Sequence, residues 1–120
     1  MKPEHHYPCQ IVRVVDGDTV RLLVELGFNM RFEDNFRLAR INAPEVRGEQ
    51  KALGIPSKRF LEDLLARLDL NGFTFSVKSE KHGKFRWLAE LYVQENSLNI
   101  NDHMVEAGMA EYYQKGESNG

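Results

Sequence analysis

At 120 residues the chain suffices for one compact domain and is marginal for two. Its 16 Lys and Arg against 18 Asp and Glu leave a formal charge of -2, which excludes nucleic-acid binding by bulk basicity and makes any such binding depend on local charge placement. Apolar residues at 42% allow a real core, and the single cysteine, Cys9, excludes an intrachain disulfide, a multi-cysteine zinc site and an iron-sulfur cluster.

Residues 1–10 (MKPEHHYPCQ) lack the apolar stretch of a secretory signal, and nowhere do about 18 apolar residues run together as a membrane span requires. The expectation is a soluble monomer, cytoplasmic or secreted and processed. It is a single domain over 1–120, with a core over about 9–113 between a flexible leader and a flexible tail.

Residues 11–15 and 20–26 are β-rich runs separated by Asp16, Gly17, Asp18 and Thr19, a turn composition that predicts a hairpin. In the second run Val20, Leu22, Val24 and Leu26 alternate with Arg21, Leu23 and Glu25, the period of a strand burying one face. A third stretch runs through Phe28, Met30 and Phe32 and then over 36–41, with Glu33, Asp34 and Asn35 as a bend or bulge and Pro44 as its stop.

Phe60, Leu61, Leu64, Leu65 and Leu68 recur at steps of three and four. They predict an amphipathic helix over 57–68, capped by Ser57 after Pro56 and terminated by Asn71 and Gly72. Phe73, Phe75 and Val77 alternate as a fourth strand, and 85–93 makes a fifth. Residues 97–107 predict a second helix, with Leu98, Ile100, Met104, Val105 and Ala107 on its apolar face and Gly108 at its C-cap. The order βββαββα, with a helix between the third and fourth strands, is that of a mainly β, five-stranded Greek-key barrel of the OB type with an added C-terminal helix.

The chemistry is densest at 16–19 (DGDT) and 37–45 (RLARINAPE). Acidic residues in a tight turn can project oxygens into one small volume, which suits a hard cation such as Ca²⁺, although such a turn by itself is more often an ordinary hairpin. Arg37 and Arg40 fall on opposite faces of one strand, so at most one of them faces a site. A cation, guanidinium groups and a carboxylate that activates water are together what a phosphodiester displacement needs, because charge accumulates on the nonbridging oxygens.

VVDGDTV, FRLARINAPE, SKRFLEDLL, RWLAELYV and VEAGMAEYY resemble, in this order and over most of the chain, the staphylococcal nuclease (thermonuclease) family. The resemblance implies an OB-fold, Ca²⁺-dependent nuclease that cleaves DNA and RNA, single-stranded or locally unpaired, with little sequence preference. It implies that Asp18 is a metal ligand, with Asp16 the second acidic residue of the turn. It further implies Arg37 as a phosphate-binding arginine, Glu45 as general base, and the Ala43 carbonyl as a ligand.

Asn42 stands where the family usually has a second metal-binding aspartate. Its amide oxygen can still coordinate Ca²⁺ but is neutral, so affinity is expected to be weaker by ~10-fold or more. The second arginine of the family falls on Arg86 when RWLA is aligned, with an intervening glycine missing, and Lys84 is the alternative as a point charge rather than a fork. Lys78, Lys81, Lys84 and Arg86 form either a phosphate track or a solvated loop.

Tyr112 and Tyr113 either stack on a base or pack against the barrel, and Trp87 reads as core. His5, His6, His82 and His103 have no spacing typical of a zinc site. The rival to the nuclease is a non-catalytic OB module that binds single strands or another protein. Asn42 and the altered loop before Arg86 favour it, and the retained Asp18, Arg37 and Glu45 oppose it.

Overall fold

The computed structural model describes residues 6–69, 74–82 and 86–112, with the backbone alone at 80–82 and 86. Its strands are β1 (His6–Asp16), β2 (Thr19–Gly27), β3 (Met30–Leu38), β4 (Ile41–Asn42), β5 (Phe75–His82), β6 (Arg86–Val93) and β7 (Glu111–Tyr112). Its helices are α1 (Lys51–Leu68) and α2 (Ile100–Glu106). Strands β1, β2, β3, β6 and β5 close into a barrel in that order, antiparallel throughout except for the parallel pair β3 and β6. This is the five-stranded OB-type barrel with helices that the element order predicts. No helix among the described residues is long and apolar enough to cross a membrane.

Alternation produces the core. Val20, Leu22 and Val24 point inward from β2, and Phe75 and Val77 from β5, all nearly or fully buried. Leu61, Leu64 and Leu65 bury one stripe of α1. Trp87 packs edge-on to Phe32, with ring centroids 5.6 Å apart, and so belongs with the core.

Several boundaries differ from the sequence expectation, each for a long-range reason. Strand β1 starts at His6 rather than at residue 11, because the stretch from His6 to Cys9 pairs with Lys78 to Phe75 of β5. Cys9 is fully buried there, and burial pushes its thiol up to about 12. Phe28 and Asn29 form a two-residue turn with φ of 53° and 63°, so β3 begins only at Met30. The expected bend at Glu33, Asp34 and Asn35 is absent. They pair in register with Leu23, Leu22 and Arg21, and Glu33 accepts a 2.7 Å ion-pair bond from Arg21 across the sheet.

Strand β3 ends at Leu38, not at Ile41. Arg40 turns the chain with φ of 74° and is held by Glu90 and Asp102. The chain then forms β4, which pairs with β7 in a small ribbon that local periodicity does not announce. Helix α1 starts at Lys51, and Ser57 is not its cap. Pro56 sits within the helix, while Ser57 is buried and donates its hydroxyl to the Met109 carbonyl at 2.8 Å. Helix α2 starts at Ile100, capped by Asn99, whose side chain accepts from the Asp102 N–H. Asn71, Gly72 and Phe73, expected at the helix end and the next strand, lie outside the described residues, as does the tail beyond Tyr112.

Asn101 joins the two ends of this architecture. Fully buried, it accepts from the Leu91 N–H at 3.1 Å and donates to the Ala39 and Ala89 carbonyls, each at 2.9 Å. One side chain thereby fastens α2 to β6 and to the turn that launches β4.

Candidate active site

The hairpin turn between β1 and β2 sits on the rest of the molecule through Gly17. A Cβ there would lie 2.1 Å from the Ser57 hydroxyl and 2.9 Å from the Ala43 Cβ, so only glycine allows the turn to close on α1 and on residue 43. That contact carries Asp18 inward until it is only 5% exposed. A buried carboxylate has to be paired. Asp18 accepts from the Thr19 hydroxyl at 3.1 Å, from Arg37 Nη1 at 3.1 Å and from the Ala43 N–H at 2.8 Å. Its main-chain carbonyl accepts from the Leu38 N–H at 2.7 Å.

Arg37 leaves β3 one strand over from Thr19, its register partner. Besides Asp18, its guanidinium donates to the Ile41 carbonyl at 3.1 Å and to the side-chain oxygen of Asn42. Glu45 follows on an exposed loop whose backbone is gripped from both sides. Its N–H donates to Gln50 Oε1 at 3.1 Å, and its carbonyl rests against the bare Cα of Gly54.

These groups border one cleft of about 970 Å³. Asp18, Arg37, Asn42, Ala43 and Glu45 line one part, and Leu53, Pro56 and Met109 form an apolar wall. Its charged lining is lopsided: five carboxylates, Asp16, Asp18, Asp34, Glu45 and Glu111, against one guanidinium, Arg37, among the described residues. Asp16 registers the imbalance. Partial burial, then the neighbouring Asp18 carboxylate, raise its carboxyl above the usual range, against the opposing pull of the Val46 N–H and Arg47.

The chain thus gathers Asp16, Asp18, Arg37, Asn42, Ala43 and Glu45 around a single space. Arg86 opens β6 opposite His82, but its side chain is not among those described, and Lys84 lies outside the described residues. Tyr112 is pinned: its hydroxyl donates to Asp102 at 2.7 Å and the Arg40 guanidinium lies 5.7 Å over its ring. Tyr113 is outside the described residues. Gln50, Gly54, Ser57 and Glu111 are missed by sequence reasoning, since each acquires its role from a partner distant in the chain or across a loop.

The family model of the staphylococcal nuclease homologues matches residues 35–120. The chain belongs to this family. No curated protein matches it. In this staphylococcal nuclease homologue the matched span holds Arg37, Asn42, Ala43 and Glu45, whereas Asp16 and Asp18 precede it and reach the site through the β2–β3 pairing that sets Thr19 opposite Arg37.

The donor set suits a hard divalent cation, because the Asp18 carboxylate, the Asn42 amide and the Ala43 carbonyl all offer oxygen. No three His, Cys, Asp or Glu side chains among the described residues cluster tightly enough to hold a metal, so an ion placed here would also need neutral amide and main-chain oxygens. The guanidinium of Arg37 covers oxygens of Asp18 and Asn42, and an ion using them requires it to swing toward the cleft.

Proposed function

We propose that this protein hydrolyses phosphodiester bonds of DNA and RNA, single-stranded or locally unpaired and with little sequence preference, with Ca²⁺ held by Asp18, Asn42 and the Ala43 carbonyl. When bound, the ion supplies Lewis-acid polarisation of the phosphate and lowers the pKa of nearby water. Glu45 takes the proton from the attacking water, its exposed carboxylate lying on the same cleft as the other groups. Arg37 transfers hydrogen bonds from Asp18 and Asn42 to the nonbridging oxygens, where charge grows toward the transition state. Arg86 is the second such cation.

The observation that carries this reading is the convergence of Asp18, Arg37 and Glu45 on one cleft from a hairpin, a strand end and a loop. The excess of carboxylates sharpens it: a polyanion is repelled from this lining until a cation enters, so substrate binding itself depends on the metal. The test is cleavage of end-labelled single-stranded DNA with Ca²⁺ or with chelator. Glu45→Gln is expected to slow the calcium-dependent reaction by at least about 100-fold. Undiminished cleavage by that folded variant removes Glu45 from the mechanism.

A second reading, a non-catalytic binding module, is favoured by the engagement of Arg37 with Asp18, Ile41 and Asn42 as a closed clamp. DNA shifted on a gel yet uncut in both lanes supports it.

A further inference from the structure

Asp18 is the only charged group among the three oxygen donors assigned above, and Ca²⁺ affinity rises with the count of anionic ligands. The β4–β7 ribbon places another carboxylate next to the neutral donor. Asn42 and Glu111 are direct register partners in an antiparallel pair, so their side chains leave the same face with Cβ atoms about 5 Å apart. Both line the cleft. The Glu111 side chain is exposed and makes no hydrogen bond or ion pair among the described residues. Its strand is nevertheless anchored: the adjacent Tyr112 pairs with fully buried Ile41, donates to Asp102 and lies under Arg40.

We propose that Glu111 supplies the second negative charge of the cation site, across the ribbon from Asn42. The inference rests on the calcium-dependent reading of the cleft and deepens it. The ribbon brings a carboxylate from near the C-terminal end of the described chain to the position where the local strand offers only an amide. Charge at 111 then does for the ion what charge at 42 would do, so the two positions are interchangeable in sign but not both dispensable. Because β7 is held by contacts on its other residue, Glu111 is free to turn toward the cleft without unpacking the fold.

Calorimetric titration of the full chain with CaCl₂ tests this without reference to catalysis. Glu111→Gln is expected to weaken Ca²⁺ binding by ~10-fold or more. The double variant Asn42→Asp with Glu111→Gln is expected to restore it to within a few-fold of wild type. Unchanged affinity in Glu111→Gln, with binding lost in Asp18→Asn, overturns the role of Glu111 and leaves the calcium reading standing. Weakening that Asn42→Asp does not repair also overturns it, because a structural effect is not cured by moving a charge. A folded wild-type chain that takes up no Ca²⁺ overturns this inference together with the calcium reading itself.

Discussion

Gly54 in α1 lies directly against the main chain of Glu45: a Cβ at position 54 would approach the Glu45 carbonyl oxygen to 1.8 Å and the Val46 nitrogen to 2.7 Å. The helix and the loop bearing the candidate base therefore touch backbone to backbone, with no flexible side chain between them to yield. Gly54→Ala gains up to about 1 kcal/mol in helix propensity. Overpacking of this kind costs about 1–3 kcal/mol, and a main-chain obstacle puts it toward the upper end. Net destabilisation in urea unfolding and at least ~10-fold slower cleavage are expected, since a displaced base loses its geometry. A variant matching wild type in both measurements means that Gly54 does not hold the loop.

Arg37 separates charge from shape. Lysine keeps the positive charge beside buried Asp18 but cannot serve Asp18, the Ile41 carbonyl and Asn42 together as the planar fork does. Arg37→Lys is expected to fold and to lose at least about 100-fold in cleavage rate. Arg37→Ala is expected to cost about 3–5 kcal/mol of stability as well, by leaving the buried carboxylate without its ion-pair partner. Comparing unfolding midpoints and rates of the two variants checks this, and equal activity of lysine and arginine at 37 would rule out bidentate recognition.

Asn101→Ala removes the partner of the Leu91 N–H and one partner each of the Ala39 and Ala89 carbonyls. Buried groups stripped of their bonds cost about 1–3 kcal/mol each, and the Ala89 carbonyl still accepts from the Ala39 N–H at 2.9 Å. A loss of about 2–4 kcal/mol in urea unfolding is therefore expected. Because the Ala39 carbonyl belongs to the turn that launches β4, faster amide exchange at Ile41 and Asn42 should accompany it.

Asp16 carries a pH dependence. With its folded-state carboxyl raised by burial and by Asp18, it binds its proton more tightly in the folded chain than in the unfolded one. Its contribution to stability is therefore complete below the ordinary aspartate range, about pH 4, and is lost as pH rises through the raised value. Asp16→Asn removes that loss. In chelator the variant should melt above wild type at pH 7, with the gap closing near pH 3, and saturating Ca²⁺ should narrow the gap at pH 7 by neutralising the same repulsion. A gap that persists unchanged in acid points to a cause other than ionisation.

Periodicity makes most of the barrel legible, because a strand that buries one face writes its neighbours' side into its own alternation, as Val20, Leu22 and Val24 do. Errors gather where a residue answers to a distant partner. Glu33, Asp34 and Asn35 look like a bend until β2 supplies their cross-strand neighbours, and Ser57 looks like a cap until the Met109 carbonyl is brought within reach of its hydroxyl. Asp18, Arg37, Asn42 and Glu45 fall within two short segments, and it is the family resemblance of those segments, not their spacing alone, that names them in advance.

The chain alone determined the order of the five barrel strands and two helices, the barrel class and the family, since these are written in local pattern and motif order, and the resemblance to that family is what names the candidate residues for phosphodiester chemistry. Only the tertiary structure decided that Arg37 bridges Asp18 and Asn42, that Gln50 and Gly54 grip Glu45, and that Glu111 stands beside Asn42. The reason is that such contacts are made by strand register and helix packing between segments up to about 70 residues apart, and local sequence periodicity carries no record of which distant residue will arrive.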